Sequence, residues 1–357
     1  MSLRSAVASA MRHLARSDVA AATTDLQRVL FRGLEPRSAP SAPAPATPSK
    51  ETVAAAPARL APLAPAGSLQ EGSRSKTGEA AFVGRIHQGP AGGLHYKLYV
   101  AASAVRGEAS LIVMLHGCTQ DPDDFARGTR MNALAEEHGL IVAYPAQARG
   151  ANPQGCWNWF DRKHQKRGAG EPALIAGLVE EIATEFGVAR GRIFAAGLSA
   201  GGAMAEVLAA TYPELFSAIG VHSGLAYGAA TNVPSAFQAM KGKAKPRPAM
   251  GPAEAERAAL VRKIVLHGSK DSTVAPSNGE RIFADAARGG QTQTRTIDAN
   301  GRRVVVTTAN APGGRAQAEH WVIEGLGHAW SGGDGTGSYS DAAGPDASRE
   351  MLRFFLG

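Results

Sequence analysis

The chain has 357 residues, 44 % hydrophobic and 19 % charged, a balance that fits a globular protein with a sizeable core. Its net charge of +7 is spread along the sequence rather than gathered into a basic block, so nucleic acid is not an expected partner. There is no run of about 18 apolar residues to span a membrane, and two cysteines, Cys118 and Cys156, are too few for a disulfide scaffold.

Residues 1–33 read as two short helices. The first carries Leu3, Val7, Met11 and Leu14 at helical spacing; the second starts at the Ser17-Asp18 cap and carries Val19, Ala22, Leu26, Val29 and Leu30. Such a pair either packs on its own chain or docks on another protein or on an apolar or lipid-coated particle. The same stretch has Arg4, Arg12 and Arg16 but lacks an uninterrupted apolar segment of about 7–15 residues before a cleavage site, so the expectation is a cytoplasmic protein. Residues 34–78 are rich in Ala, Pro and Ser and predict a semi-extended linker.

A catalytic domain is expected over residues 79–357, where the pattern becomes strand, helix, strand. Apolar strand candidates are 94–100, 110–116, 139–144, 191–196, 216–222, 262–267 and 318–324. Helices are predicted over 123–138, 172–187, 199–211, 276–288 and 346–356. This alternation predicts an α/β fold: a mostly parallel sheet with helices on both faces. Residues 296–306 read as an inserted hairpin turning at Asn300-Gly301.

Within that frame Gly197-Leu198-Ser199-Ala200-Gly201 stands between a buried strand and a helix, the setting of a nucleophile elbow. A serine hydroxyl needs a base to take its proton and an acid to orient that base, and in this arrangement the order is nucleophile, acid, histidine. Asp271 follows the strand ending at His267, and His328 lies in the glycine-rich loop after the strand near 324. All three candidates fall at the carboxyl edge of the sheet, where open α/β sheets place their sites. Asp285 and Asp298 are weaker candidates for the acid, one on a helix and one in the hairpin. His320 and His222 suit packed strand histidines, and His138 and His164 suit surface positions.

The strand at 111–115 runs into His116-Gly117-Cys118, a turn able to offer the Cys118 N–H to a substrate oxygen, with the Ala200 N–H as second donor. His116 would brace that loop through hydrogen bonds. No H-E-x-x-H, close cysteine pair or Walker loop occurs, so no metal is expected. Gly333-Asp334-Gly335-Thr336-Gly337 follows no strand and opens no helix, and it reads as a flexible loop.

With these pieces placed, the chain resembles the polyhydroxybutyrate depolymerase family of esterases, within the α/β-hydrolase superfamily. The matching segments are Leu115-His116-Gly117-Cys118-Thr119-Gln120, Gly155-Cys156-Trp157-Asn158-Trp159-Phe160, the elbow, His267-Gly268-Ser269-Lys270-Asp271 and Gly327-His328-Ala329-Trp330-Ser331-Gly332-Gly333. The resemblance implies hydrolysis of short hydroxyacid esters, polymeric or oligomeric, without a cofactor. It also implies an acetyl or feruloyl polysaccharide esterase as the competing reading. A granule-associated protein with a vestigial fold is the non-catalytic one. Many members are secreted, so an extracellular location is the alternative to the cytoplasmic expectation.

Trp157, Trp159, Phe160 and Trp330 are expected to line an apolar rim for a polyester chain. A Cys118–Cys156 bridge would tie the aromatic loop to the oxyanion strand, whereas a reducing cytoplasm favours two thiols. The sequence leaves both states open.

Overall fold

The structure, a computed structural model, describes residues 80–244, 260–288, 290–311 and 314–357. The helices read over 1–33 and the linker over 34–78 lie outside the described residues.

Ten strands form one sheet: β1 (Ala81–Gly89), β2 (Gly92–Val100), β3 (Leu111–Leu115), β4 (Ile141–Pro145), β5 (Ile193–Leu198), β6 (Ala218–His222), β7 (Arg262–Gly268), β8 (Gln291–Ala299), β9 (Arg302–Asn310) and β10 (Ala316–Ile323). Their spatial order is β1-β2-β4-β3-β5-β6-β7-β10-β9-β8. The central six, β4 to β10, run parallel, and the β1–β2 and β8–β9 hairpins add antiparallel strands at the two edges. Residues 296–306 therefore extend the main sheet rather than forming a separate insertion. The hairpin turns at Asn300 and Gly301, both with positive φ, as the mirror-image turn between twisted strands requires.

Strands β3, β4, β5 and β6 are buried throughout because both faces are covered. Alternation sorts their side chains: Leu111, Val113 and Leu115 of β3 point to one apolar cluster, Ile112 and Met114 to the other. The first cluster holds α3 (Gly170–Phe186), α4 (Ala200–Thr211), α5 (Val233–Met240) and α6 (Ser277–Ala286). The second holds α1 (Pro122–Thr129), α2 (Met131–His138) and α7 (Ala347–Leu356), the last through Met351, Leu352, Phe354 and Phe355. A short pair, β11 (Trp330–Ser331) and β12 (Ser340–Asp341), follows the main sheet.

The single helix expected over 123–138 is instead two, broken at Arg130, which adopts a left-handed conformation (φ 54°). Tertiary partners claim the carbonyls a continuous helix would use. Gly128 O accepts from the Asp334 N–H at 2.9 Å, and Thr129 O accepts from Ser348 Oγ at 2.6 Å. The same contacts overturn the reading of residues 333–337 as a flexible loop. Gly337 packs so tightly on Gly128 that a Cβ there would lie 2.3 Å from the Gly128 Cα.

Candidate active site

The elbow stands at the junction of β5 and α4. Ser199 is 8 % exposed and held at φ 56°, ψ −117°, a backbone conformation costly for any residue with a Cβ. The surrounding chain enforces it. A Cβ on Gly201 would sit 1.9 Å from Leu115 O, and one on Gly197 would sit 2.4 Å from the Gly201 carbonyl carbon. Only glycine at both positions lets β3, β5 and the start of α4 come this close.

Asp271 follows β7 and is fully buried. Its Oδ1 accepts the Thr273 and Val274 N–H groups, each at 2.9 Å, and its Oδ2 lies 2.7 Å from His328 Nδ1. His267 Nε2 donates to Val274 O at 2.9 Å, with Asp271 Oδ2 a longer second neighbour at 3.4 Å. Burial works to raise the Asp271 pKa, but hydrogen bonds from His267 and His328 outweigh it and hold the group well below the usual carboxylate range. An anionic Oδ2 can only accept, so the His328 Nδ1 carries the proton and its Nε2 is left as a base. His267 was read only as part of a motif. Its role beside Asp271 had no signal in the sequence, because the contact depends on how the loop after β7 folds back.

The competing groups are occupied elsewhere. Asp285 pairs with Arg288, and Asp298 sits exposed on β8. His222 is fully buried: its Nε2 accepts the Ser331 N–H at 3.2 Å, and its ring stacks on Trp330. Burial first, then repulsion from His267 and His328, pulls its pKa down to about 3. His320 lies in β10 with its ring on Phe283, and burial lowers its pKa to about 4. His164, expected at the surface, is half-buried and accepts the Glu171 N–H at 3.0 Å, capping the start of α3. His138 is exposed.

The loop 116–120 lies beside the elbow: a Cβ on Gly117 would be 3.7 Å from Ser199 Cβ. His116 is buried with both ring nitrogens engaged, Nδ1 to Gly117 O at 2.8 Å and Nε2 accepting the Gln147 N–H at 3.1 Å. Burial keeps it neutral by lowering its pKa. Gln120 closes the turn by accepting the Gly117 N–H at 2.9 Å, while its amide nitrogen donates to Asp124 and Ser338.

A disulfide joins Cys118 to Cys156, 38 positions on, and so ties this loop to the aromatic segment. Glu171, whose pKa burial raises, anchors that segment from below by accepting the Asn158 N–H at 2.7 Å. Closing a loop of this length is worth about 4 kcal/mol by chain entropy. Replacing both cysteines by serine is expected to lower unfolding free energy by about that amount in a denaturant titration; a loss below about 1 kcal/mol would mean the native packing already holds the segment without the bridge.

A cavity of about 40 Å³ opens beside Ser199, lined by Ala200, the disulfide, Trp159, Phe160, Leu225, Val233, Ala236, Phe237, Met240 and Val274. Two of the four expected rim aromatics are therefore there, and two are not. Trp157 is fully buried with its ring against His116. Trp330 is buried between His222 and Phe125, with its Nε1 donating to Ser348. Trp157 and Trp159, two positions apart, both pack into the first cluster, and only Trp159 also borders the cavity. Trp330 belongs to β11, which packs into the second core. Helix α5, which supplies Phe237 and Met240, was not predicted. Its signals were the Asn232 cap, which accepts the Ser235 N–H, and a proline in the first turn.

Comparison with known proteins places this architecture. The chain is 31 % identical over 243 residues to poly(3-hydroxyalkanoate) depolymerase C of Paucimonas lemoignei, a match covering 66 % of this chain and 58 % of that protein. It is 30 % identical over 230 residues to a probable acetylxylan esterase A of Neosartorya fischeri, covering 57 % and 58 %. The chain thus spans under two thirds of the length of either relative. Among solved structures, the acetyl xylan esterase from Aspergillus awamori shares the α/β-hydrolase fold, with a TM-score of 0.56 and 22 % identity over 78 % of this chain and 99 % of that one. Residues 94–311, from β2 through β9, match the family described as esterase PHB depolymerase, and the chain belongs to that family.

Proposed function

We propose that this protein is a serine carboxylic-ester hydrolase that cleaves poly(3-hydroxybutyrate) or short hydroxyalkanoate esters through an acyl-enzyme. Ser199 Oγ attacks the ester carbonyl and His328 Nε2 takes its proton. Asp271 holds the imidazole and stabilises its charge. The Cys118 and Ala200 N–H groups bind the tetrahedral oxyanion, and His328 then activates the water that releases the acid. The observation that carries this reading is the strained Ser199 elbow opening directly on an apolar cavity, with a buried carboxylate–imidazole pair on neighbouring loops of the same sheet edge.

The cavity also bears on the acyl group. Its lining by Leu225, Val233, Phe237 and Met240 suits a short apolar acyl chain. A longer chain that crowded Phe237 and Met240 would meet an overpacking cost of about 1–3 kcal/mol. Turnover of p-nitrophenyl butyrate is therefore expected to exceed that of the octanoate by about tenfold or more in kcat/KM, with Phe237→Ala narrowing the gap. Equal rates on both esters would remove the cavity from the account of specificity.

An acetyl polysaccharide esterase is the second reading, supported by the acetylxylan esterase relatives and by the fit of an acetyl group to the same space. Purified protein assayed on amorphous poly(3-hydroxybutyrate) and on acetylated xylan decides between the two. Release of hydroxybutyrate supports the depolymerase reading, and release of acetate alone overturns it. Fluorophosphonate labelling at Ser199 tests the non-catalytic alternative. Attachment of residues 1–33 to a polymer granule is tested by deleting residues 1–78 and measuring granule association; an unchanged association would overturn it. The Cys118–Cys156 bridge favours an oxidising compartment over the cytoplasmic expectation, since disulfides persist outside the reducing cytosol.

A further inference from the structure

Thr119 and Tyr339 both hold a left-handed backbone, with φ 67° and 51°, though neither is glycine. For a β-branched residue such as Thr119 this is a rare conformation, kept only where the surroundings over-determine it. Each of the two lies in a turn: the Gln120 N–H donates to Gly117 O at 3.4 Å across Thr119, and Tyr339 ends the turn before β12. They meet each other, Thr119 Oγ1 to Tyr339 Oη at 3.1 Å, across 220 positions of sequence.

The direction of that contact follows from proton counting. Thr119 Oγ1 donates to Cys118 O at 2.6 Å, which uses its one hydrogen, so the Tyr339 hydroxyl must be the donor to Thr119. A chain of two hydrogen bonds thus runs from Tyr339 through Thr119 to the Cys118 carbonyl. Cys118 is also held by its sulfur, bonded to Cys156, and the next N–H, that of Thr119, donates to Gln154 O at 2.8 Å. Tyr339 is itself fixed. Its carbonyl accepts the Trp330 N–H at 2.7 Å, the Ser338 N–H before it donates to Asp124 at 3.0 Å, and its ring stands edge-on to His328.

We propose that Tyr339, acting through Thr119, is a positioning residue that fixes the orientation of Cys118 and with it the N–H offered to the oxyanion. This rests on the proposed esterase reading, in which that N–H stabilises the tetrahedral intermediate. The pair joins the oxyanion loop to the loop of the base, so one side chain sets the spacing of two parts of the site that are far apart in sequence.

Conservative variants test it. Tyr339→Phe keeps the ring against His328 and removes only the hydroxyl, Thr119→Val keeps the shape without the relay, and Thr119→Ser keeps the relay. Loosening an oxyanion donor should cost less than deleting one, so the first two are expected to lower kcat on p-nitrophenyl butyrate by about tenfold, with KM within about twofold. Binding of butylboronic acid, whose serine adduct is tetrahedral, should weaken in parallel, the acid limb of the pH–rate profile should stay in place, and Thr119→Ser should behave as wild type. Wild-type kcat and boronate affinity in Tyr339→Phe would overturn the proposal, as would a shifted acid limb, which would place the effect on His328. Amide hydrogen exchange over residues 116–120 gives a readout that needs no turnover: faster exchange in Tyr339→Phe supports the clasp and unchanged exchange overturns it. If the wild-type protein cleaves no ester and binds no boronate, the esterase reading fails, while the exchange measurement still decides the clasp.

Discussion

Ser199→Ala is expected to reduce hydrolysis of p-nitrophenyl butyrate by at least about 10⁴-fold and to abolish fluorophosphonate labelling, with the folded state intact. The reason is chemical: the residual site would keep its oxyanion donors and cavity but have no atom to form the acyl-enzyme bond. The backbone supplies an internal control. At φ 56°, ψ −117° a Cβ is strained, and such strain costs about 1–3 kcal/mol, so Ser199→Gly should be equally inactive yet at least as stable as Ser199→Ala. Glycine's greater unfolded-state entropy offsets about 0.5–1 kcal/mol of that gain. Thermal unfolding of the two variants beside wild type measures it. Retained turnover in either variant would remove Ser199 from its role.

Asp271→Asn is expected to cost about 10⁴-fold in kcat, although the two groups are nearly the same shape. Oδ1 would still accept from Thr273 and Val274, which leaves the new amide nitrogen facing His328 Nδ1. That nitrogen donates, so Nδ1 would have to accept, and the imidazole proton would move to Nε2, the atom needed as a base. A near-normal rate would place the acid elsewhere. The same variant tests the electrostatics. Because the folded-state pKa of Asp271 is depressed, its stabilisation is present above the ordinary carboxylate pKa of about 4 and fades as pH falls below it. The stability difference between wild type and Asp271→Asn should therefore shrink as pH is lowered from about 4 towards 2, and a difference independent of pH would show that the carboxylate charge is not what the fold uses.

The sheet was legible in the sequence to a useful degree. Leu111–Leu115 and Ile193–Leu198 are unbroken apolar runs because each is covered on both faces, and such runs leave a signal that needs no partner to be read. Strand β1 left no such signal. It is an edge strand whose side chains are mostly exposed, Val83 and Ile86 among them, so its pattern resembles a polar loop. Helix α5 was short, and the break at Arg130 had no local cause at all, since the groups that satisfy the carbonyls of Gly128 and Thr129 come from residues 334 and 348.

For the candidate site, the division follows the range of the interactions. The sequence by itself determined the local geometry: a glycine-flanked serine between strand and helix, a carboxylate after one strand and a histidine after another, because backbone sterics and strand burial act over a few residues. Only the tertiary structure decided which groups meet. The 2.7 Å contact of Asp271 with His328 spans 57 positions, the Cys118–Cys156 bridge spans 38, and Thr119 reaches Tyr339 across 220. It also sent Trp157 and Trp330 into the cores while leaving Trp159 and Phe160 at the cavity. An aromatic ring gains by leaving water in either place, so composition cannot choose between them, and the choice falls to the packing of segments far apart in the chain.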